Sequence, residues 1–236
     1  MDDFKRVTGS GPVLRVLHLH LLVGQQSEAN QFLYPSRHQV GVVTFFPCGI
    51  TFPDRIPLFE GDGTFWGFRR ALRAAEEVGP WDIVHAHGPI DGMLYLLFCE
   101  LTNRSLGRGV YSAHHSYTNT NFNKRNRLLS HGTFKFFDRV TCVSQASMDS
   151  FPPRFKRLAK GRLSVVSNGV DLNRLDETLS SAPPLESKPS GFQVASVGRL
   201  IDIKDPMTVL AAFGRIASSE AHLTFIGTGD LADPLD

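Results

Sequence analysis

The stretch "VASVGRLIDIKDPMTVLAAFGRI", residues 194–216, runs from a strand signal through two cations into a helix signal. The apolar run that ends near Val197 reads as a buried strand over 192–198. Leu210, Phe213 and Ile216 recur at helical spacing and predict a helix over 205–219, with Pro206 at its start. A second apolar run, 221–227, completes a strand–helix–strand unit, the connection that joins parallel strands. Arg199 and Lys204 stand where the strand ends and the helix begins. Ligands of open parallel sheets bind beyond the carboxyl ends of the strands, where helix N-termini present unpaired N–H groups. Two cations at that place suit an anion such as a phosphate, or serve as ordinary loop charges.

The same rhythm fills the chain upstream. Strands are predicted at 13–22, 39–46, 82–87, 109–114, 139–144 and 162–168, and helices at 26–35, 64–78, 89–104, 123–137 and 145–159. The alternation predicts an α/β fold with a largely parallel sheet covered on both faces. Between the two series lies "DLNRLDETLSSAPPLESKPSG", 171–191, whose prolines and serines read as a linker. The expected organisation is a complete N-terminal Rossmann-like domain over 1–171, a linker over 172–191, and the first strand–helix–strand unit of a second Rossmann-like domain over 192–236. One such unit covers neither both faces of its sheet nor its open edges, so the second domain reads as partial and prone to association.

Of the 236 residues, 42% are hydrophobic and 20% charged, which excludes a disordered or fibrous chain. No run approaches the roughly 20 apolar residues that cross a bilayer, and the N-terminus lacks the pattern of a secretion signal. Cys48, Cys99 and Cys142 are far apart and sit in apolar surroundings, as buried thiols of a reducing compartment do. A cytoplasmic protein is expected. The net charge of +2 conceals an asymmetry, because 104–162 carries 12 Lys or Arg against Asp138 and Asp149, whereas the rest of the chain carries 13 basic and 21 acidic residues. Such a segment suits the inner face of an anionic membrane or an anionic acceptor, or is a solvated helix surface. Nucleic acid is not expected, since no nucleic-acid motif is present.

Other residues of chemical interest cluster at strand ends. Gly227 and Gly229 follow the second strand of the C-terminal unit, either as a turn that lets a phosphate approach or as a plain tight turn. His18 and His20, then His85 and His87, form two H-x-H pairs whose members share a strand face. Either pair has metal-ligand spacing, but carboxylates are scarce nearby, and the pairs read better as core or cleft histidines. His114 ends the strand "VYSAH" beside the polar run "HSYTNTN", a place for a general base, a donor to a sugar hydroxyl, or a strand-end cap.

Taken in order, "DIVHAHGPIDG", "VYSAH", "DRVTCVSQASMDSF", "LSVVSNGVDLNRL", "VGRLIDIKDPMTVLAAF" and "LTFIGTGDL" resemble the nucleotide-sugar glycosyltransferases of the GT-B fold, in the retaining family-4 group. The resemblance implies two facing Rossmann-like domains and transfer of a sugar from a nucleotide-diphosphate sugar to a glycan or lipid-linked acceptor. It implies retention at the anomeric carbon and no cofactor or metal. By the same resemblance, Arg199 and Lys204 stabilise the departing diphosphate, whose charge grows as the glycosidic bond breaks. His114 contacts the transferred sugar, Gly24 lies where backbone amides approach the substrates, and Asn168, Gly169 and Asp171 enter the second domain.

Three departures stand out. Ser167 replaces a common proline, and Asp205 replaces the glycine that usually follows the lysine. The family's paired glutamates have no counterpart, because no glutamate follows Glu220. This chain alone is therefore expected to have little transferase activity. The competing readings are a non-catalytic, truncated transferase-like module that binds an acceptor, a membrane or a completing polypeptide, and more distantly a metal-dependent hydrolase built on the histidine pairs.

Overall fold

A computed structural model describes residues 11–23, 38–49, 52–119, 122–169, 172–182, 191–216 and 220–233. The helix expected over 26–35, Gly24 and Asp171 lie outside these residues. The chain divides into two units, Met1–Val170 and Asp171–Asp236.

In the first unit the elements run β1 (Arg15–His20), β2 (Gln39–Thr44), β3 (Leu58–Glu60), α1 (Phe65–Val78), β4 (Ile83–Ala86), α2 (Pro89–Thr102), β5 (Arg108–Ala113), α3 (Lys124–Phe136), β6 (Arg139–Cys142), α4 (Gln145–Ser150), α5 (Pro153–Ala159) and β7 (Leu163–Val165). Seven strands form one sheet in the order β3-β2-β1-β4-β5-β6-β7. Every neighbouring pair is parallel. Strand order reverses between β1 and β4, so the carboxyl ends of these two strands mark the crevice of a doubly wound sheet.

Alternation along the strands sorts side chains between the two faces. Leu17 and Leu19 of β1, Val84 and Ala86 of β4, Tyr111 and Ala113 of β5, and Val140 and Cys142 of β6 share one cluster with Phe68, Leu72, Phe98, Phe134 and Phe155 from the helices. Val42 of β2 joins a smaller cluster with Val23 and Ile56. Helix starts follow local chemistry: Thr64 Oγ1 accepts from Gly67 N at 3.0 Å, Asn123 Oδ1 from Asn126 N at 2.9 Å and Ser144 Oγ from Ser147 N at 3.0 Å. Each satisfies a donor that the first helical turn leaves open. Among the described residues no helix is long and apolar enough to cross a membrane.

Three segments differ from the sequence expectation. The helix expected over 145–159 is two helices, α4 and α5, because Pro153 lacks an N–H and the residue before a proline disfavours helical angles. β3 is a strand of three residues between a segment with Pro53 and Pro57 and the glycine-containing turn at 61–63, too short for its alternation to be read. Within the span expected as linker, Leu172–Ser181 forms helix α6. Its Leu172, Leu175 and Leu179 keep helical spacing and are 49%, 46% and 65% exposed.

The second unit continues with β8 (Phe192–Val197), α7 (Pro206–Ile216) and β9 (Ala221–Ile226). β8 and β9 pair in parallel through the α7 crossover. Phe192, Val197 and Ile226 on these strands are 67%, 76% and 53% exposed. On α7, Val209 and Phe213 are the half-buried apolar positions, and Leu210, expected in the buried stripe, is 37% exposed.

Part of the basic segment is structural. Arg162 Nη2 donates to the carbonyl oxygens of Lys135 at 2.8 Å, Leu158 at 3.0 Å and Phe134 at 3.3 Å, its Nε donates to Ala159 O at 2.8 Å, and its Nη1 donates to Phe137 O. One guanidinium thus satisfies the open C-terminal carbonyls of both α3 and α5 and places its charge at their negative dipole ends. Arg104 pairs with Glu76 at 3.0 Å, Lys156 with Asp149 at 3.2 Å, and Arg154 donates to Tyr117 Oη at 2.8 Å. Replacing Arg162 with Met is expected to lower the free energy of unfolding by about 2–4 kcal/mol in denaturant titration, the scale of several lost charge-assisted bonds, and Arg162→Lys is expected to recover little because an ammonium lacks the planar fork. A loss under about 0.5 kcal/mol contradicts this role.

Candidate functional site

In the first unit the residues of chemical interest meet at the crevice. His18 and His85 are register partners on β1 and β4. Alternation turns them away from the face carrying Leu17 and Val84, together with His20, Ser112 and Thr141. His18 Nδ1 lies 2.8 Å from His87 Nε2, and His87 Nδ1 lies 3.0 Å from His114 Nε2. His85 Nε2 lies 2.7 Å from Ser112 Oγ, which lies 2.7 Å from Thr141 Oγ1. The rings also stack, with centroids 4.3 Å apart for His20 and His87 and 4.0 Å for His85 and His87. Five histidines, on or one residue beyond three adjacent strands, therefore form one polar ladder.

Four of these rings, His18, His20, His85 and His87, are held uncharged. Burial, and then the charges of neighbouring imidazoles, lower His20 to about 3 and His85 to about 4, and hold His18 and His87 well below their ordinary value. A neutral imidazole has one donor and one acceptor nitrogen, so adjacent rings satisfy one another without ionising. Beside them, the buried Asp91 caps α2: Oδ2 accepts from the N–H groups of His87 at 2.9 Å and Gly88 at 3.0 Å. Burial pushes its carboxyl up to about 7, against the backbone N–H groups that favour the ionised form. The turn from β4 into α2 is thereby tied to the helix that follows it.

His114 is the expected site residue that the structure joins to this ladder. Asn168 and Gly169 lie beyond the end of β7 and are exposed. The sequence identified each H-x-H pair, but not that His18 and His85 stand in register, which depends on the pairing of β1 with β4.

In the second unit, the loops after β8 and β9 are bonded to each other. Gly198 N donates to Ile226 O at 3.0 Å, Leu200 N to Thr228 O at 2.9 Å, and Leu231 N to Leu200 O at 3.0 Å. A Cβ on Gly227 would run into the Gly198 carbonyl, and one on Gly229 into the Leu200 carbonyl. Both glycines are needed for the close approach of the two loops. Arg199 stands two residues past the end of β8, and Lys204 ends the 3-10 turn Asp202–Lys204 before α7. Both are exposed, and among the described residues neither side chain makes a hydrogen bond or ion pair.

The departure at Asp205 has a conformational explanation. Its φ is +48°, in the left-handed region where glycine is easiest and aspartate is tolerated. Its Oδ1 accepts from Thr208 N at 3.2 Å, so the carboxylate serves the start of α7. Asp205→Ala loses both the bond and the backbone tolerance and is expected to destabilise the protein by about 1–2 kcal/mol, whereas Asp205→Gly is expected to cost only a few tenths. Equal losses in thermal unfolding would contradict this explanation.

Comparison with known proteins adds the family. Searching the curated proteins finds no match. Among solved structures, the catalytic domain of starch synthase IV from Arabidopsis thaliana, bound to ADP and acarbose, is 13% identical with a TM-score of 0.58, covering 93% of this chain and 69% of that one. Sucrose-phosphate synthase from Thermosynechococcus elongatus is 14% identical with a TM-score of 0.60, covering 91% and 62%. The apo form of the lipopolysaccharide outer core galactosyltransferase WaaB is 15% identical with a TM-score of 0.55, covering 94% and 63%. The present chain thus spans about two thirds of the length of these proteins, and at such identities the likeness shows a shared GT-B fold. The family model described as Glycosyltransferase Family 4 matches residues 31–174. With that match over more than half of its length, the chain belongs to Glycosyltransferase Family 4.

Proposed function

We propose that this protein transfers a sugar from a nucleotide-diphosphate sugar to a glycan or lipid-linked acceptor with retention at the anomeric carbon, without a cofactor and without a metal in the transfer step. The observation that carries the reading is the pair of exposed cations, Arg199 and Lys204, between the end of β8 and the start of α7 in a chain of this family. When the bond from the anomeric carbon to the diphosphate breaks, its electron pair stays on the diphosphate oxygen. A guanidinium fork, an ammonium and the positive end of α7 each lower the energy of that growing charge. Stabilisation of charge that develops in the transition state accelerates transfer, whereas equal stabilisation of bound donor would not. Gly227 and Gly229 keep side chains out of the neighbouring loop. The family resemblance gives His114, whose Nε2 lies 3.0 Å from His87 Nδ1, a contact with the transferred sugar, and Gly24 and Asn168 complete the proposed substrate contacts.

Calorimetric titration with ADP, UDP and GDP tests the diphosphate role. Each of Arg199→Ala and Lys204→Ala is expected to weaken the preferred nucleotide about 10-fold to 100-fold, the scale of a charged hydrogen bond. Unchanged affinity in the double variant would remove these residues from the site. The non-catalytic reading shares this binding result and separates in a transfer assay, where this chain shows no turnover and a longer chain carrying the paired glutamates does not recover it.

The reading extends to a cytoplasmic protein that touches the inner face of an anionic membrane. Support comes from α3, where the exposed Lys124, Arg125, Leu128, Lys135 and Phe136 fall within one arc of the helix. Leu128 and Phe136 are 70% and 61% exposed, and Ser130, Thr133 and Phe134 face the core. Exposed apolar side chains interleaved with cations on one helix arc suit a helix lying in the headgroup layer. Co-sedimentation with vesicles containing phosphatidylglycerol is expected to fall at least about 10-fold for Leu128→Glu/Phe136→Glu, the loss of two buried apolar side chains, with no change in unfolding temperature. Equal pelleting of wild type and variant, or equal pelleting with neutral vesicles, would contradict it.

A further inference from the structure

We propose that His18, His85 and His87 form a binding site for a divalent transition metal ion of the zinc type. One ligand nitrogen from each lies within 4.8 Å of the other two, the one grouping of this kind among the described residues. The backbone fixes all three positions. His18 and His85 are opposite one another on adjacent parallel strands, and His87 follows His85 by two residues at the end of the same strand. Three side chains are thus presented from two hydrogen-bonded strands in the middle of a seven-stranded sheet.

Distance and chemistry select the ion. His18 Nδ1 and His87 Nε2 are 2.8 Å apart. Two ligands of a tetrahedral zinc ion at about 2.0–2.1 Å stand about 3.3 Å apart, so the two rings part by about half an ångström and turn their lone pairs onto a shared metal. Imidazole nitrogens without a carboxylate suit zinc, nickel or copper and do not suit magnesium or calcium. All three histidines are half-buried. Three protein ligands leave one position of a tetrahedral ion for water.

An outer layer is already in place. His87 keeps its Nδ1 on His114 Nε2 at 3.0 Å, and His85 keeps one ring nitrogen on Ser112 Oγ at 2.7 Å and has a second to offer. Such partners fix the tautomer and orientation of metal-bound imidazoles. When the ion enters, the hydrogen now shared by His18 and His87 moves to an outer ring nitrogen, so each imidazole remains neutral and no proton is lost. The ion would tie β1 to β4 at the reversal of strand order. All of its ligands belong to the first unit, whereas Arg199 and Lys204 belong to the second, and its test needs no transfer activity.

The experiment is calorimetric titration of chelator-treated protein with zinc chloride, paired with the absorption spectrum of the cobalt(II)-loaded protein. The wild type is expected to bind one zinc ion saturably and to give the intense ligand-field bands of four-coordinate cobalt. His18→Gln and His85→Gln are expected to weaken binding more than about 100-fold, and Ser112→Ala about 10-fold to 100-fold, the range for outer-layer partners. His222→Gln on β9 is expected to bind like the wild type. No saturable zinc binding by the wild type, or wild-type affinity in His18→Gln, overturns the proposal. If circular dichroism shows that the histidine variants do not fold, the cobalt spectrum and Ser112→Ala decide: six-coordinate bands, or unchanged affinity in Ser112→Ala, overturn it.

Discussion

The structure of the first unit depends on a single constraint, the reversal of strand order between β1 and β4. Each strand presents successive side chains to opposite faces, so register decides everything that follows. With His18 opposite His85, Leu17, Leu19, Val84 and Ala86 enter the core beneath the helices, while the histidines gather on the other face at the carboxyl edge. A slip of one residue would bury imidazoles in the core and expose leucines. Core and polar ladder are therefore two consequences of one register, and neither can be altered without the other.

The second unit solves a different problem with few residues. Two loops must lie against each other so that the turn after β8 and the start of α7 keep a defined shape, and Gly227 and Gly229 permit that approach. Leu200, 7% exposed, is the buried apolar side chain of this turn. Asp205 adopts the left-handed conformation that ends the 3-10 turn and uses its carboxylate on the helix start. Among the described residues the side chains of Arg199 and Lys204 take no part in the hydrogen bonding of this turn. The contrast with Arg162 is instructive, because that equally basic residue is consumed by the carbonyls of two helix ends.

Much of the fold was legible because its signals are local. Strand cores at β1, β2, β4, β5 and β6 and the helices α1, α2, α3 and α7 announce themselves through apolar period and flanking breakers. β3 escaped because three residues carry no period, and α6 because its leucines lead into a proline-rich and serine-rich stretch. The break between α4 and α5 was written in Pro152–Pro153 and was outweighed by the surrounding helical pattern. At the candidate site, Arg199, Lys204 and His114 were visible from their place at strand ends. The ladder was not, since the proximity of His18 to His87 and of His87 to His114 is created by pairing between segments more than 25 residues apart in the case of the latter and further in the former. Nor does counting charge over 104–162 reveal which cations are free, because Arg162 and Arg104 find their partners only after folding.

The central claim is that the turn between β8 and α7 receives a diphosphate. Backbone amide chemical shifts followed during titration with UDP and ADP, with nucleoside alone as the reference, test it most directly. The account predicts that the diphosphate, and not the nucleoside, moves the amides of Gly198, Arg199, Lys204 and the Gly227–Gly229 loop together, with one saturation curve. Diphosphate-dependent shifts confined to other segments, or none in this turn at saturating nucleotide, would contradict it.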